Sequence, residues 1–288
     1  MTADSQTIRL SDGRTLGYAK YGAVGGRPVL YLHGGMSSRL DIAFAHEYCL
    51  SQNIELIAPD RPGTGLSSPQ PGRRLLDLAK DMKELSANLN YETIPLFAWS
   101  LAGPYALACA FAYPSTFARI ATIGGVAPLN SQEAINDLGL LIDRLVLTWP
   151  VSWKWLLSLL LASTGKLPPA ILKFQMEREV NSEPDRAIIK ALSISQGTRF
   201  VYESVKQGGD GIIADYDAVA APWGFALQEL KCDLDIFHGE LDAICPFKHA
   251  LHLQESVKGS RLHVVRGEGH FLLHRRLPDV LSVLLASS

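Results

Sequence analysis

The chain reads as an α/β protein: a mostly parallel eight-stranded sheet with flanking helices and a helical cap inserted after the sixth strand. Three observations predict this. Short apolar runs alternate with helix-forming runs toward both ends of the chain, the mark of a parallel sheet covered on both faces. The alternation stops after Val126. From about Pro128 to Asp217 the pattern is helical without strand runs, which is too long for a plain crossover, and strand–helix alternation resumes near Pro222 to Phe225. The core domain is thus assigned to 1–127 and 218–288, and the cap, or lid, to 128–217. A length of 288 residues, 47% of them hydrophobic, suffices for one large domain with a sizeable core.

The strands are expected near 6–10, 14–20, 28–32, 54–58, 94–99, 118–124, 232–238 and 261–265, and core helices near 39–51, 74–89, 101–113, 247–257 and 276–286. The third strand ends in His33-Gly34-Gly35-Met36. The fourth, Ile54 to Ala58, runs into a turn rich in Gly and Pro, Pro59 to Ser67. The fifth reaches Ser100, and a helix-forming run, Tyr105 to Phe111, leaves it. The seventh is followed by His238-Gly239-Glu240-Leu241-Asp242, with Pro246 beyond. After the last comes Gly267-Glu268-Gly269-His270-Phe271.

Within the cap, Leu138 to Ala162 is strongly apolar and carries Trp149, Trp153 and Trp155. Asp143, Arg144 and Lys154 lie inside this stretch and Pro150 interrupts it, whereas a membrane span wants about 20 mostly uncharged residues. Lid helices packed on the core are the better reading, and their apolar excess is expected to wall a substrate pocket. Trp149 and Trp153, with Met36 and Trp99 from the core, are the candidate substrate contacts. Met36 and Ser37 are equally well explained as plain turn residues.

Charge and composition narrow the partners. A formal net charge of −2 gives no reason to expect nucleic acid or an acidic membrane surface. The stretch from Met1 to Leu10 is polar, without the apolar core of a signal peptide, so a cytoplasmic protein is expected. The four cysteines, Cys49, Cys109, Cys232 and Cys245, are widely spaced and form neither a C-x-x-C pair nor a metal-ligand set, so buried free thiols are expected. No Gly-rich loop has a dinucleotide or phosphate fingerprint in strand context. No cofactor and no metal are therefore expected, and the sequence carries no signal for oligomeric state.

The chemistry begins at Phe97-Ala98-Trp99-Ser100-Leu101-Ala102-Gly103. A strand that turns sharply into a helix needs small residues two positions either side of its apex, and the apex serine is then strained and pointed into open space. That is a nucleophile elbow, usually G-x-S-x-G, here with Ala98 and Ala102 for the glycines. On its own the motif also fits a serine that merely caps a helix. Asp242 and His270 follow in order, each just beyond a predicted strand. With His33-Gly34-Gly35 and Asp60-Arg61-Pro62-Gly63-Thr64-Gly65-Leu66-Ser67, the chain resembles the α/β-hydrolase superfamily, in its HG-x, D-R-P-G-x-G-x-S branch, from about Arg14 to His274 apart from the middle.

The resemblance implies a serine hydrolase. Ser100 would be the nucleophile, His270 its base and Asp242 the acid that orients the imidazole. The family pattern places the oxyanion donors on the backbone N–H groups of Leu101 and Gly35. Competitors exist. Among eight histidines, His33 and His238 sit at strand ends and His263 within a strand, but His270 alone follows the last strand in a Gly-x-Gly-His turn. Asp235 and Glu240 neighbour Asp242, and Asp215 and Asp217 close the cap. The superfamily's alternative acid position, after the sixth strand, is excluded because Gly124 to Gln132 has no carboxylate. Asp60 is read as structural. An elbow serine argues against dehalogenase or epoxide-hydrolase chemistry, which uses aspartate there. Met36-Ser37 in place of Pro-Gly, and no evident acidic clamp for an amine, argue against an iminopeptidase. Hydrolysis of a carboxylic ester of a small apolar substrate is the leading expectation. Lactone, thioester or carbon–carbon bond hydrolysis, acyl transfer, and a ligand-binding receptor on the same fold are the alternatives.

Overall fold

A computed structural model describes residues 4–129 and 131–286. Residues 1–3, Asn130 and 287–288 lie outside the described residues, and with them the outer ends of the assigned core and one position of the assigned cap. Eight strands form one sheet: β1 (Asp4–Arg9), β2 (Thr15–Gly22), β3 (Arg27–Leu32), β4 (Ile54–Pro59), β5 (Leu96–Trp99), β6 (Arg119–Ile123), β7 (Asp233–Gly239) and β8 (Arg261–Val265). Their order is β1-β2-β4-β3-β5-β6-β7-β8. From β4 onward every neighbouring pair is parallel; β2 pairs antiparallel with both β1 and β4. The sheet is thus mostly parallel with an antiparallel edge, and a strand forms at each of the eight places where the sequence predicts one.

The helices are α1 (His46–Ser51), α2 (Leu75–Asn88), α3 (Gly103–Ala112), α4 (Gln132–Asn136), α5 (Leu141–Thr148), α6 (Lys154–Ser163), α7 (Pro169–Glu179), α8 (Glu183–Ala191), α9 (Ile194–Ser204), α10 (Asp210–Ala220), α11 (Lys248–Ser256) and α12 (Leu273–Leu285). The central strands β4 and β5 are buried along their whole length, because helices cover both faces. The helix expected over 39–51 is divided: a 3₁₀ turn, Asp41–Ala45, precedes α1, and there Asp41 accepts bonds from Ser37 and Tyr31. The last helix starts earlier than expected, at Leu273, directly after a 3₁₀ turn at His270–Leu272.

Helices α4 to α10 all lie between β6 and β7, and α10 runs on to Ala220, past the expected end of the segment at Asp217. Buried ionic contacts tie this segment to the sheet. Asp215 on α10 bridges Arg61 and Arg73 at 2.8 and 2.5 Å, and Arg39 bonds both Asp60 and Glu203 of α9. Burial would raise the Asp215 pKa, but the two guanidinium groups outweigh it and hold the carboxyl below its ordinary value. Gly63 and Gly211 pass so closely that a Cβ on Gly211 would lie 2.3 Å from the Gly63 carbonyl oxygen.

Among the described residues no single helix is long and apolar enough to cross a membrane. α5 and the helical run Val151–Lys166 pass the length and composition test only together, and they are bent by 109° across Pro150.

Candidate active site

Ser100 stands where β5 ends and a 3₁₀ turn, Ser100–Ala102, leads into α3. Its φ of 58° is left-handed, a conformation that costs a non-glycine residue on the order of 1 kcal/mol or more. The surroundings impose it. Ala98 and Ala102 are fully buried, so the turn closes without side-chain bulk, and Pro104 suits the first turn of α3. A Cβ on Gly34 would lie 3.2 Å from the Trp99 ring and 3.5 Å from the Ser100 Cβ, so the loop after β3 packs directly on the elbow.

Asp242 and His270 meet behind this serine. His270 Nδ1 lies 2.8 Å from Asp242 Oδ2, and both residues are buried. The other carboxylate oxygen accepts backbone N–H groups of Ile244 and Cys245 at 2.9 and 2.8 Å, which holds the acid independently of the histidine. Trp99 donates its indole N–H to the His270 carbonyl at 3.0 Å. Burial works to lower the His270 pKa, but Asp242, with Asp185 and Asp143 farther off, outweighs it and raises the value. A Cβ on Gly124 would lie 3.0 Å from His270 Nδ1 and 3.1 Å from Asp242 Oδ2, so a side chain there would press on this pair, and the φ of 53° also favours glycine.

The competing groups have other partners or face solvent, apart from His238, which also touches the acid. His33 Nδ1 bonds the Gly34 carbonyl, its Nε2 accepts the Arg61 backbone N–H, and burial followed by the Arg61 charge keeps it neutral. His238 Nε2 bonds the Cys245 carbonyl at 2.7 Å and lies 3.4 Å from Asp242 Oδ2, so it backs onto the acid and takes no part in the cavity lining, and Asp235 is held by Arg261 and His263. Glu240 is exposed. Asp60 accepts the backbone N–H groups of Arg39 and Leu66 and pairs with the Arg39 guanidinium, a role in shaping the turn.

The loop carrying Gly35 is held from below by Arg61, which donates to the carbonyls of His33 and Gly34 while its Nε bonds Asp215. A Cβ on Gly35 would lie 2.7 Å from Tyr216 Oη and 3.3 Å from Leu101 Cδ2. Gly35 and Leu101 therefore face one another, and Met36 beside them is also left-handed, with φ of 47°. Leu101 sits in a first helical turn, where backbone N–H groups lack intrahelical partners and the helix dipole favours negative charge.

A cavity of about 240 Å³ joins these parts; Gly35, Met36, Trp99, Ser100, Leu101 and His270 line its floor. Its roof comes from the segment between β6 and β7, including Ile142, Leu172, Met176 and Tyr216. Met36 and Trp99 thus stand where the sequence analysis places substrate contacts, but Trp149 and Trp153 do not. After Pro150 the chain turns outward. Trp153 and Trp155 stack on each other 6.2 Å apart and are 53% and 59% exposed, and Trp149 donates to the Trp153 carbonyl. On α6 it is Leu157 and Leu161, one turn apart, that face inward, so Trp155 and Leu159 fall on the outer side.

Three features of the site escape sequence reasoning. Asp143 and Glu179, neither evident as an acidic group of the site from the sequence, line the cavity. Asp143 accepts the Tyr216 hydroxyl at 2.5 Å, and burial pushes its carboxyl up to about 6. Asp185, on α8, accepts the backbone N–H groups of His270 and Phe271. The only local signal for these residues is a charged side chain inside an apolar helical run, as at Asp143.

Comparison with known proteins agrees with this architecture. The alpha/beta hydrolase fold family model matches residues 27–276, and the chain belongs to that family. Among individual relatives, it is 26% identical to "Uncharacterized hydrolase YcgS" of Bacillus subtilis (strain 168) over 278 residues, 95% of each chain. It is 27% identical to "Serine hydrolase BPHL" of Mus musculus, covering 95% of this chain and 82% of that protein. Among solved structures, the esterase EaEST from Exiguobacterium antarcticum superposes with a TM-score of 0.72 at 21% identity, covering 98% of this chain and 99% of the other. That last likeness is one of fold.

Proposed function

We propose that the protein is a serine hydrolase that cleaves a carboxylic ester through an acyl-enzyme. The observation that carries this reading is Ser100, left-handed and on the cavity wall, beside a His270 whose Nδ1 is already bonded to a buried Asp242. Nδ1–H donates to Asp242, so the neutral imidazole presents Nε2 as a base. Ser100 Oγ attacks the acyl carbon as its proton passes to His270. The imidazolium is stabilised by Asp242, and the oxyanion by the backbone N–H groups of Leu101 and Gly35. Collapse expels the alcohol, which takes the proton back from His270. Water, deprotonated by His270, then releases the acid and restores Ser100.

In this reading the helical segment 128–217 is a cap that excludes bulk water, and its apolar residues hold the acyl part. Each buried methylene would then contribute about 0.8 kcal/mol, close to fourfold in kcat/KM, until the cavity is full. Asp143, which gives only one of its oxygens to Tyr216, and the more exposed Glu179 put carboxyl groups on the cavity wall, which favours substrates that also carry a hydrogen-bond donor or a cationic group.

The test is turnover of chromogenic acyl esters of graded length, with and without an amino substituent, run beside a fluorophosphonate probe. Labelling should fall on Ser100, and Ser100→Ala should lose labelling and turnover together. Labelling of another serine, or turnover intact in Ser100→Ala, overturns the reading. Saturable binding with no more than a single turnover would identify a receptor instead.

A further inference from the structure

We propose that Asp185 is a positioning residue: its carboxylate, carried on α8 of the inserted helical segment, holds the backbone of His270 and Phe271 and thereby sets where the imidazole stands over Ser100. The inference rests on reading His270 as the general base.

The geometry is that of a clasp. Asp185 Oδ2 accepts the His270 N–H at 2.8 Å and Oδ1 accepts the Phe271 N–H at 2.7 Å, with the side chain wholly buried. These two amides open the helical run His270–Leu272 that continues into α12, so neither has an intrahelical acceptor, and the turn's partial positive charge suits an anion. The carboxylate can approach only because residue 269 is glycine: a Cβ there would lie 2.1 Å from Asp185 Oδ2. On the far side of the same residue, Trp99 holds the His270 carbonyl. The histidine is therefore held at three points, its N–H by Asp185, its C=O by Trp99 and its ring by Asp242.

Two consequences follow. First, α8 cannot lift away without giving up both hydrogen bonds, so the clasp opposes opening at this end of the roof. Second, Asp185 adds negative charge near the imidazole. The titratable groups acting on His270 are Asp242, Asp185, Asp143 and His238, the first three favouring the imidazolium and His238 opposing it when protonated. Removing the Asp185 charge lowers the His270 pKa. The acid limb of the rate, which rises as His270 loses its proton, then moves to lower pH.

The experiment measures fluorophosphonate labelling of the full-length protein across that limb, as a rate constant per titratable Ser100. Asp185→Asn replaces one acceptor with a donor that faces an N–H. It should slow labelling per site by about 10- to 100-fold, since a displacement near 1 Å costs about that much, and should shift the limb to lower pH. Gly269→Ala reaches the same carboxylate from the other side and should slow labelling likewise. If both variants label at the wild-type rate per site with an unmoved limb, and only melt earlier, Asp185 is a plain helix cap and the proposal fails. Should neither variant fold, amide exchange in the wild-type protein decides: slow exchange at both His270 and Phe271 is expected, and fast exchange at both overturns the clasp. Turnover persisting in Ser100→Ala would instead defeat the functional reading, and the amide exchange result would still judge the clasp.

Discussion

Gly35→Ala puts the proposed oxyanion role of the loop after β3 to a direct test. The new Cβ would lie 2.7 Å from Tyr216 Oη, short by about 0.7 Å of the 3.4 Å at which ordinary contact begins. Tyr216 cannot retreat freely, because it is buried and its hydroxyl is bonded to Asp143. The loop, which hangs from Arg61 through the carbonyls of His33 and Gly34, must therefore move instead. A displacement approaching 1 Å, or outright loss of one oxyanion donor, costs about 10²-fold. Gly35→Ala should accordingly lower kcat about 10²-fold with KM nearly unchanged, because the donor acts on charge present only in the transition state. Tyr216→Phe removes the atom in the way, leaving contacts of 3.3 Å to Tyr216 Cζ and Leu101 Cδ2. The double variant should recover roughly tenfold over Gly35→Ala, a coupling of about 1.4 kcal/mol. The assay is steady-state hydrolysis of a chromogenic ester on all four proteins, with melting temperatures alongside. Strictly additive losses, or a Gly35→Ala protein at wild-type kcat, would refute this account of the loop.

Further expectations concern the dyad, the ionic bridge, the cavity wall and the roof. Asp242→Asn should fold yet lose on the order of 10⁴ in kcat, the precedent for a misdirected triad imidazole; near-normal kcat there with a crippled Glu240→Gln would move the acid elsewhere. Arg61→Met leaves Asp215 half-paired and two loop carbonyls without their donor, so unfolding in urea should show a loss of about 3–5 kcal/mol. Asp143, pushed by burial from an ordinary 3.8 to about 6, binds its proton more tightly folded than unfolded. Its contribution to stability therefore falls as pH rises between about 4 and 6 and is level above. Asp143→Asn should remove that slope, which is worth on the order of 3 kcal/mol, in urea titrations across this range. Leu172→Ala should alter the preference among acyl chain lengths whereas Trp153→Ala should leave it unchanged; the reverse pattern would show that the outer tryptophans reach the substrate.

The strands and the elbow are legible because local chemistry decides them. A run such as Leu96 to Trp99 has no option but burial, and Ala98 and Ala102 are small for a reason visible within five residues. The Gly-x-Gly-His turn is legible in the same way. What escapes is set by contacts between distant parts of the chain. Nothing around Asp185 says that its carboxylate meets His270, 85 residues away, and nothing around Asp215 points to Arg61 and Arg73. The tryptophans mislead for a related reason. Hydrophobicity marks a side chain as one that gains from burial, but not which face it takes: on α6 it is Leu157 and Leu161 that turn to the core, and the cavity wall is filled instead by residues such as Ile142, Leu172 and Met176.

The double bridge at Asp215 also sets a rule for anyone who would exchange or remove the roof. Lids on related scaffolds invite grafting, and the boundaries 128 and 217 look like convenient cut points. Cutting there removes Asp215, and a replacement lid without a carboxylate at that place would bury Arg61 and Arg73 as two unpaired positive charges. One of them is the post from which the Gly34 carbonyl hangs. A transplanted lid must bring a carboxylate to that position, or the recipient must exchange both arginines for neutral residues and find another support for the loop. A graft that ends before α10 keeps Asp215 with both arginines, so this helix belongs, in engineering terms, to the chassis.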